Sequence, residues 1–157
     1  NPVFILKIKD LACFNTYFQN LTNMTDLSQL NYLAIFVAAF SAFLVGGVWY
    51  SPILFAKSWM KENNFTDDDL KSGQGKIFGT AFVLELIMAF NLAAFIGAES
   101  DITFGLIAGF LAGFGWVALG MGVTYLFERK SFRLWAINAG YQVVSFTVMG
   151  GIVGVWH

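Results

Sequence analysis

Residues 77–98 read IFGTAFVLELIMAFNLAAFIGA, twenty-two residues from Ile77 to Ala98 in which Glu85 is the only charge. At roughly 1.5 Å per residue such a run crosses a hydrocarbon core about 30 Å thick as a single helix. A carboxylate near the middle of that core costs several kcal/mol unless it is protonated, paired or hydrated. Glu85 is therefore the first candidate functional residue. The plainer reading is a neutral carboxylic acid that helps helices associate.

The rest of the chain agrees with this run. Its composition is 57% hydrophobic and only 12% charged, which is wrong for a soluble domain of this length. Charge-free stretches also occupy Leu27 to Ala56, Ile102 to Phe127 and Leu134 to Trp156. With the Glu85 run they predict an all-α membrane protein, a bundle of four transmembrane helices over about 31–50, 77–97, 103–127 and 134–156. The formal net charge is −1 and no basic stripe is present, so nucleic acid is not an expected partner. Cys13 is the only cysteine and His157 the only histidine, which leaves no disulfide, no zinc cluster and no pair of haem ligands. No metal or cofactor is expected. Neither HExxH, GxSxG nor a phosphate-binding Gly-Lys-Ser/Thr signature occurs, and a lone glutamate without histidine is poor acid and base machinery. An enzyme is not expected.

Toward the N-terminus, residues 1–23 differ in character from the rest of the chain, and Lys7 and Lys9 come after the apolar PVFIL rather than before it. That order does not suit a signal peptide. Met24 opens MTDLSQLNYLAIF like a natural start, with Thr25, Asp26 or Ser28 available to cap the first helix. We expect 1–23 to be an extension outside a core at 24–157; a short amphiphilic tail on the membrane surface is the alternative. The first span ends in Gly46-Gly47-Val48-Trp49-Tyr50-Ser51-Pro52. Trp49 and Tyr50 suit the headgroup level, and Pro52 ends an ordinary helix. Ile53, Phe55, Ala56, Trp59 and Met60 then recur at helical spacing with Lys57, Lys61 and Glu62 between them, predicting a short interfacial helix or a tilted continuation of the first. In the polar loop, Thr66-Asp67-Asp68-Asp69 lacks the alternating ligand spacing of a calcium loop. Thr66 with Asp69 resembles a capping box instead.

Toward the C-terminus, Gly105, Gly109 and Gly113 recur every four residues in the third span, and Gly150 and Gly154 near the end of the fourth. Small residues on one face let another helix approach closely, and that helix could belong to the same chain or to a second copy. Trp135 is a further interface aromatic at the start of the fourth span. Beyond it Asn138, Tyr141, Gln142 and Ser145 stand at i, i+3, i+4 and i+7 on one helical face. Glu85 is nine residues past Lys76 and Gln142 nine past Arg133, so both reach about the same depth. This predicts an intramembrane polar cluster of Glu85, Asn138, Tyr141, Gln142 and Ser145, with Asn91 a candidate member from another face. No lysine, arginine or histidine at that depth supplies a counter-charge.

From Met24 onward seven Lys and Arg residues lie in the connections 57–76 and 128–133. The positive-inside rule places both connections in the cytoplasm and both termini outside.

The run Asn31-Tyr32-Leu33-Ala34-Ile35, then Gly47-Val48-Trp49-Tyr50-Ser51-Pro52, Leu54-Phe55 and Trp59-Met60-Lys61, resembles the opening of the domain of unknown function 1761 (DUF1761) family. Tyr125-Leu126-Phe127-Glu128-Arg129, Ile137-Asn138-Ala139-Gly140-Tyr141 and the glycine-rich close before Trp156 resemble its ending. The likeness covers about Leu30 to Trp156 and leaves 1–23 outside. It implies a small bacterial protein of the cytoplasmic (inner) membrane, with four helices and no established activity, and it carries over no catalytic or binding residue. The expected function is a non-catalytic membrane partner or oligomeric scaffold, embedded in the lipid bilayer and docked on its own copies or another membrane protein. The alternative is a small oligomeric transporter or channel that uses Glu85 for a proton or cation; an intramembrane enzyme comes third.

Overall fold

Asn31 begins the first long helix, its side-chain oxygen accepting from the backbone N–H groups of Leu33 and Ala34 at 3.0 Å each. The computed structural model describes residues 27–71, 73–98 and 100–156. Residues 1–23, expected to be an extension, and the capping candidates Thr25 and Asp26 lie outside them. Of the expected caps Ser28 falls instead in a 3₁₀ turn, Leu27–Gln29, ahead of the helix, and Asn31 is the N-cap because its side-chain carbonyl meets both orphan amides.

Six longer helical elements follow among the described residues. α1 is Tyr32–Trp49, α2 Ala56–Asn63, α3 Asp67–Lys71 and α4 Gln74–Ile96. α5 runs Ile102–Phe127 and α6 Phe132–Val155. Four of them, α1, α4, α5 and α6, are long and apolar enough to cross a membrane, so the all-α, four-span architecture holds. The backbone turns between Trp49 and Ala56, making α2 a separate short helix rather than a continuation of α1. α3 opens on the expected capping box: the Thr66 N–H donates to Asp69 Oδ2 at 2.8 Å and the Asp69 N–H returns to Thr66 Oγ1 at 3.4 Å. Asp101 and Ser131 cap α5 and α6 through the amides of Phe104 and Leu134.

The bundle is small inside and large outside. Ala34, Ala38, Ala39, Ala42, Ala89, Ala93, Ala108, Ala112 and Ala118 are buried, whereas Phe36, Phe40, Leu84, Ile87, Phe95 and Trp116 are exposed. Lipid gives no hydrophobic drive between helices, so close approach of small side chains and the dispersion gained there must hold them together. α6 is the hub, packing on α5, α1 and α4, while α4 leans mainly on α1.

The glycine stripe answers the question of its partner: a Cβ built on Gly105 would land on the carbonyl oxygen of Gly150, and one on Gly109 on that of Phe146. At Gly113 it would lie 2.9 Å from the Phe146 Cβ, and at Gly154 3.0 Å from the Gly105 Cα. The five glycines therefore seal α5 to α6 within one chain.

α5 is not uniform. Its middle, Ala112–Ala118, is π-helical, the wider turn that accommodates one additional residue. At its end the Trp135 indole donates to the Ala118 carbonyl at 2.8 Å. Trp49 makes the matching bond to the Ile137 carbonyl at 2.9 Å, its ring seated on Gly140. Both tryptophans, expected as interface anchors, thus also tie helices together. α2 is fastened to the start of α6, where the Ser131 hydroxyl donates to Glu62 and Arg133 to the Ser58 hydroxyl.

Candidate functional site

α1 and α4 pack against each other. Near the start of α1 and the end of α4, Ile35, Ala38, Ala39, Ala89, Leu92, Ala93 and Ile96 form one buried core. Nearer the end that carries the two basic connections, α1 contributes Gly46 and Gly47 and α4 contributes Ala81. A cavity of about 360 Å³ opens there, lined by Phe43, Gly46, Gly47, Tyr50, Phe78, Ala81, Glu85 and Tyr141. Gly47 and Phe78 are exposed, so the cavity opens at the edge between α1 and α4. The glycines matter because a Cβ at Gly46 would already touch the Tyr141 ring at 3.4 Å, while one at Gly47 would meet nothing within 4 Å.

Glu85 forms one wall and is only 6% exposed. Its Oε1 accepts from the Tyr141 hydroxyl at 3.1 Å, a proton shared with the Ala42 carbonyl at 3.4 Å. Its Oε2 is buried with no hydrogen-bond partner among the described residues. A buried carboxyl oxygen without a partner is costly and marks a place where a proton, water or ligand belongs.

The expected cluster divides. Tyr141 reaches Glu85. Asn138 does not: its carbonyl accepts from the Tyr50 hydroxyl at 2.9 Å and its amide donates to the Tyr125 hydroxyl at 3.0 Å. Residues on one helical face still spread over an arc and over successive turns of rise, so a neighbour at one point meets only one of them. Gln142 Oε1 is buried without a partner among the described residues, and no hydrogen bond joins it to Glu85. Ser145, one turn past Tyr141, is fully buried beside the phenol without a hydrogen bond of ordinary geometry. Asn91 is exposed and donates to the Ile87 carbonyl of its own helix at 2.9 Å, outside the site.

Tyr50 is the residue whose role the sequence hid. Expected only as an interface aromatic, it lines the cavity, bonds Asn138, and packs its ring on Tyr141 at 5.4 Å and Trp59 at 5.6 Å between centroids. The signal was its place just after Gly46-Gly47, a wall thinned to backbone beside a ring. Phe43 and Phe78, 6.4 Å apart, are ordinary apolar positions in the sequence and carried no signal.

No curated protein and no solved structure matches the chain significantly. The model of the family described as Protein of unknown function (DUF1761) matches residues 33–154. That interval takes in the whole cavity and nearly all of the four long helices, and the chain belongs to the DUF1761 family.

Proposed function

We propose that this is a non-enzymatic small-ligand binding and transport protein of the bacterial cytoplasmic membrane, in which Glu85 handles a proton or cation. The observation that carries the reading is Glu85 on the wall of an open cavity of about 360 Å³, a buried acid whose Oε2 has no hydrogen-bond partner among the described residues. A group kept only to fix helix register is expected to be satisfied on both oxygens, because a half-paired buried carboxyl is worse for stability than an apolar side chain. The scaffold reading loses its main support, since the glycine stripe that suggested a docking face is spent between α5 and α6 of one chain. With connections 57–76 and 128–133 in the cytoplasm, as their basic residues favour, the cavity lies in the cytoplasmic half. A site open on one side does not cross a bilayer, and a second copy is the arrangement that completes a path.

Dicyclohexylcarbodiimide, which attacks the acid form of carboxyl groups in apolar surroundings, tests the reading in native membranes. The expected result is a single adduct mapped by mass spectrometry to Glu85, slower at higher pH and absent from Glu85→Gln. A Glu85 that stays unlabelled in the folded protein but reacts after denaturation overturns the reading.

A further inference from the structure

The chemistry around Glu85 narrows what can enter. A metal ion is poorly served: hard divalent cations take about six or more oxygen ligands. Here the lining side chains offer one carboxyl and two tyrosine hydroxyls, fewer oxygens than such an ion takes. An anion meets a carboxylate and no compensating base, since no lysine, arginine or histidine among the described residues lines the cavity. A sugar or other many-hydroxyl molecule finds too few free partners among phenylalanines, glycines and an alanine. What remains is a body that is apolar and carries one positive charge.

We propose that the cavity binds a lipophilic organic cation, an amine or quaternary ammonium on an apolar body, in exchange for the Glu85 proton; this rests on Glu85 being a working site. Four aromatic rings line the space in two pairs, Tyr50 with Tyr141 and Phe43 with Phe78. Aromatic faces attract ammonium groups, most strongly where water is excluded. The Glu85 carboxylate, the one acidic group in the lining, supplies the single counter-charge. The volume of about 360 Å³ lies near the lower end of small-molecule pockets, which suits a molecule the size of a substituted benzylamine. The mouth at Gly47 and Phe78 faces the edge of the bundle, where a solute dissolved in the bilayer arrives. Charge balances in the exchange: one cation enters, one proton leaves Glu85, and the site keeps its net charge. Besides Glu85, the titratable groups lining the cavity among the described residues are Tyr50 from α1 and Tyr141 from α6.

The test uses benzyltrimethylammonium and its uncharged carbon isostere, neopentylbenzene, on the full-length protein in detergent. Calorimetry in buffers of different ionisation enthalpy counts protons released, and carbodiimide labelling of Glu85 reports occupancy. The expected result is that the ammonium compound binds with release of about one proton and protects Glu85, and the isostere does neither. Glu85→Gln, checked for folding by sizing and melting, weakens binding at least tenfold. Phe78→Leu, on an exposed position that stability should tolerate, weakens it about threefold or more. If Glu85 is labelled but the cation neither protects it nor gives heat, the ligand class is wrong and the site reading stands. Equal protection by the isostere also overturns the cation. If Glu85 is never labelled, both readings fall.

Discussion

The two faces of α6 differ in kind. Toward α5 it presents Gly150 and Gly154 to Gly105 and Gly109, so close that a single methyl group would strike backbone. Toward α1 and α4 it presents Tyr141 to an open cavity and a half-satisfied acid. One face has no tolerance for added volume, and the other borders a cavity and an acid bonded through one oxygen only among the described residues. A helix that is locked on one side can hold a ring at a fixed height on the other, which is how binding groups are kept in register within a small bundle.

The largest expected effect breaks the sealed face. Gly105→Ala or Gly150→Ala should cost about 3 kcal/mol, because added bulk against backbone must push two helices apart, and the variants should melt far below the parent or fail to run as a single species on sizing. Gly79→Ala is the control. A Cβ there meets nothing within 4 Å, and the helix should be unchanged or up to about 1 kcal/mol more stable. Equal melting of Gly105→Ala and Gly79→Ala would dissolve the contrast between the faces.

Next comes the open face, where function and stability should part. Glu85→Leu removes the buried acid and leaves the Tyr141 hydroxyl the Ala42 carbonyl as acceptor. The variant should melt at or above the parent, by up to about 2 kcal/mol, while carbodiimide reactivity disappears. A loss as large as that of Gly105→Ala would make Glu85 a structural residue. Smaller again is Trp135→Phe, which forfeits the bond to the Ala118 carbonyl at 2.8 Å and should cost about 1 kcal/mol by chemical denaturation.

The smallest effect belongs outside the bundle. Hydrogen bonds from the Thr66 hydroxyl and amide hold the Asp69 carboxyl below its ordinary value. A carboxyl depressed on folding stabilises the fold above its unfolded value, and that contribution is lost as pH falls through the folded one. The α3 turn should therefore loosen only in acid below the ordinary carboxylate range, with global melting flat between about pH 5 and pH 8. Thr66→Ala should remove the local acid transition, read from the Asp69 amide by NMR, without moving the melt.

Much of this molecule was legible because lipid imposes blunt rules. Four apolar runs of sufficient length, one acid within them and glycines four apart each have few physical readings, and the helices, the burial of Glu85 inside the bundle and the glycine contact followed. The cavity did not follow. It is lined by Gly46 and Gly47 of α1, Ala81 and Glu85 of α4 and Tyr141 of α6, and no periodicity within one helix records how three of them come together. The polar face of α6 was visible as Asn138, Tyr141, Gln142 and Ser145, but which of them meets Glu85 depends on about one turn of axial offset. Capping at Asn31 rather than Ser28 was decided by a shift in register of less than one turn, finer than an apolar pattern can specify.

The π turn in α5 changes which of its residues a neighbour meets. A neighbouring helix sees one lane of residues, and in α5 that lane runs Gly105, Gly109, Gly113 at intervals of four. It then steps by five across the wide turn to Ala118, which is buried. After the step the lane resumes at Gly122 against the Trp135 ring and Tyr125 against Asn138. Uninterrupted α geometry would have continued the lane toward Val117 and Gly120 and rotated Tyr125 off it by about 100°. The inserted residue is a frameshift written in three dimensions: it leaves the message before Gly113 intact and changes which letters after it the neighbour receives.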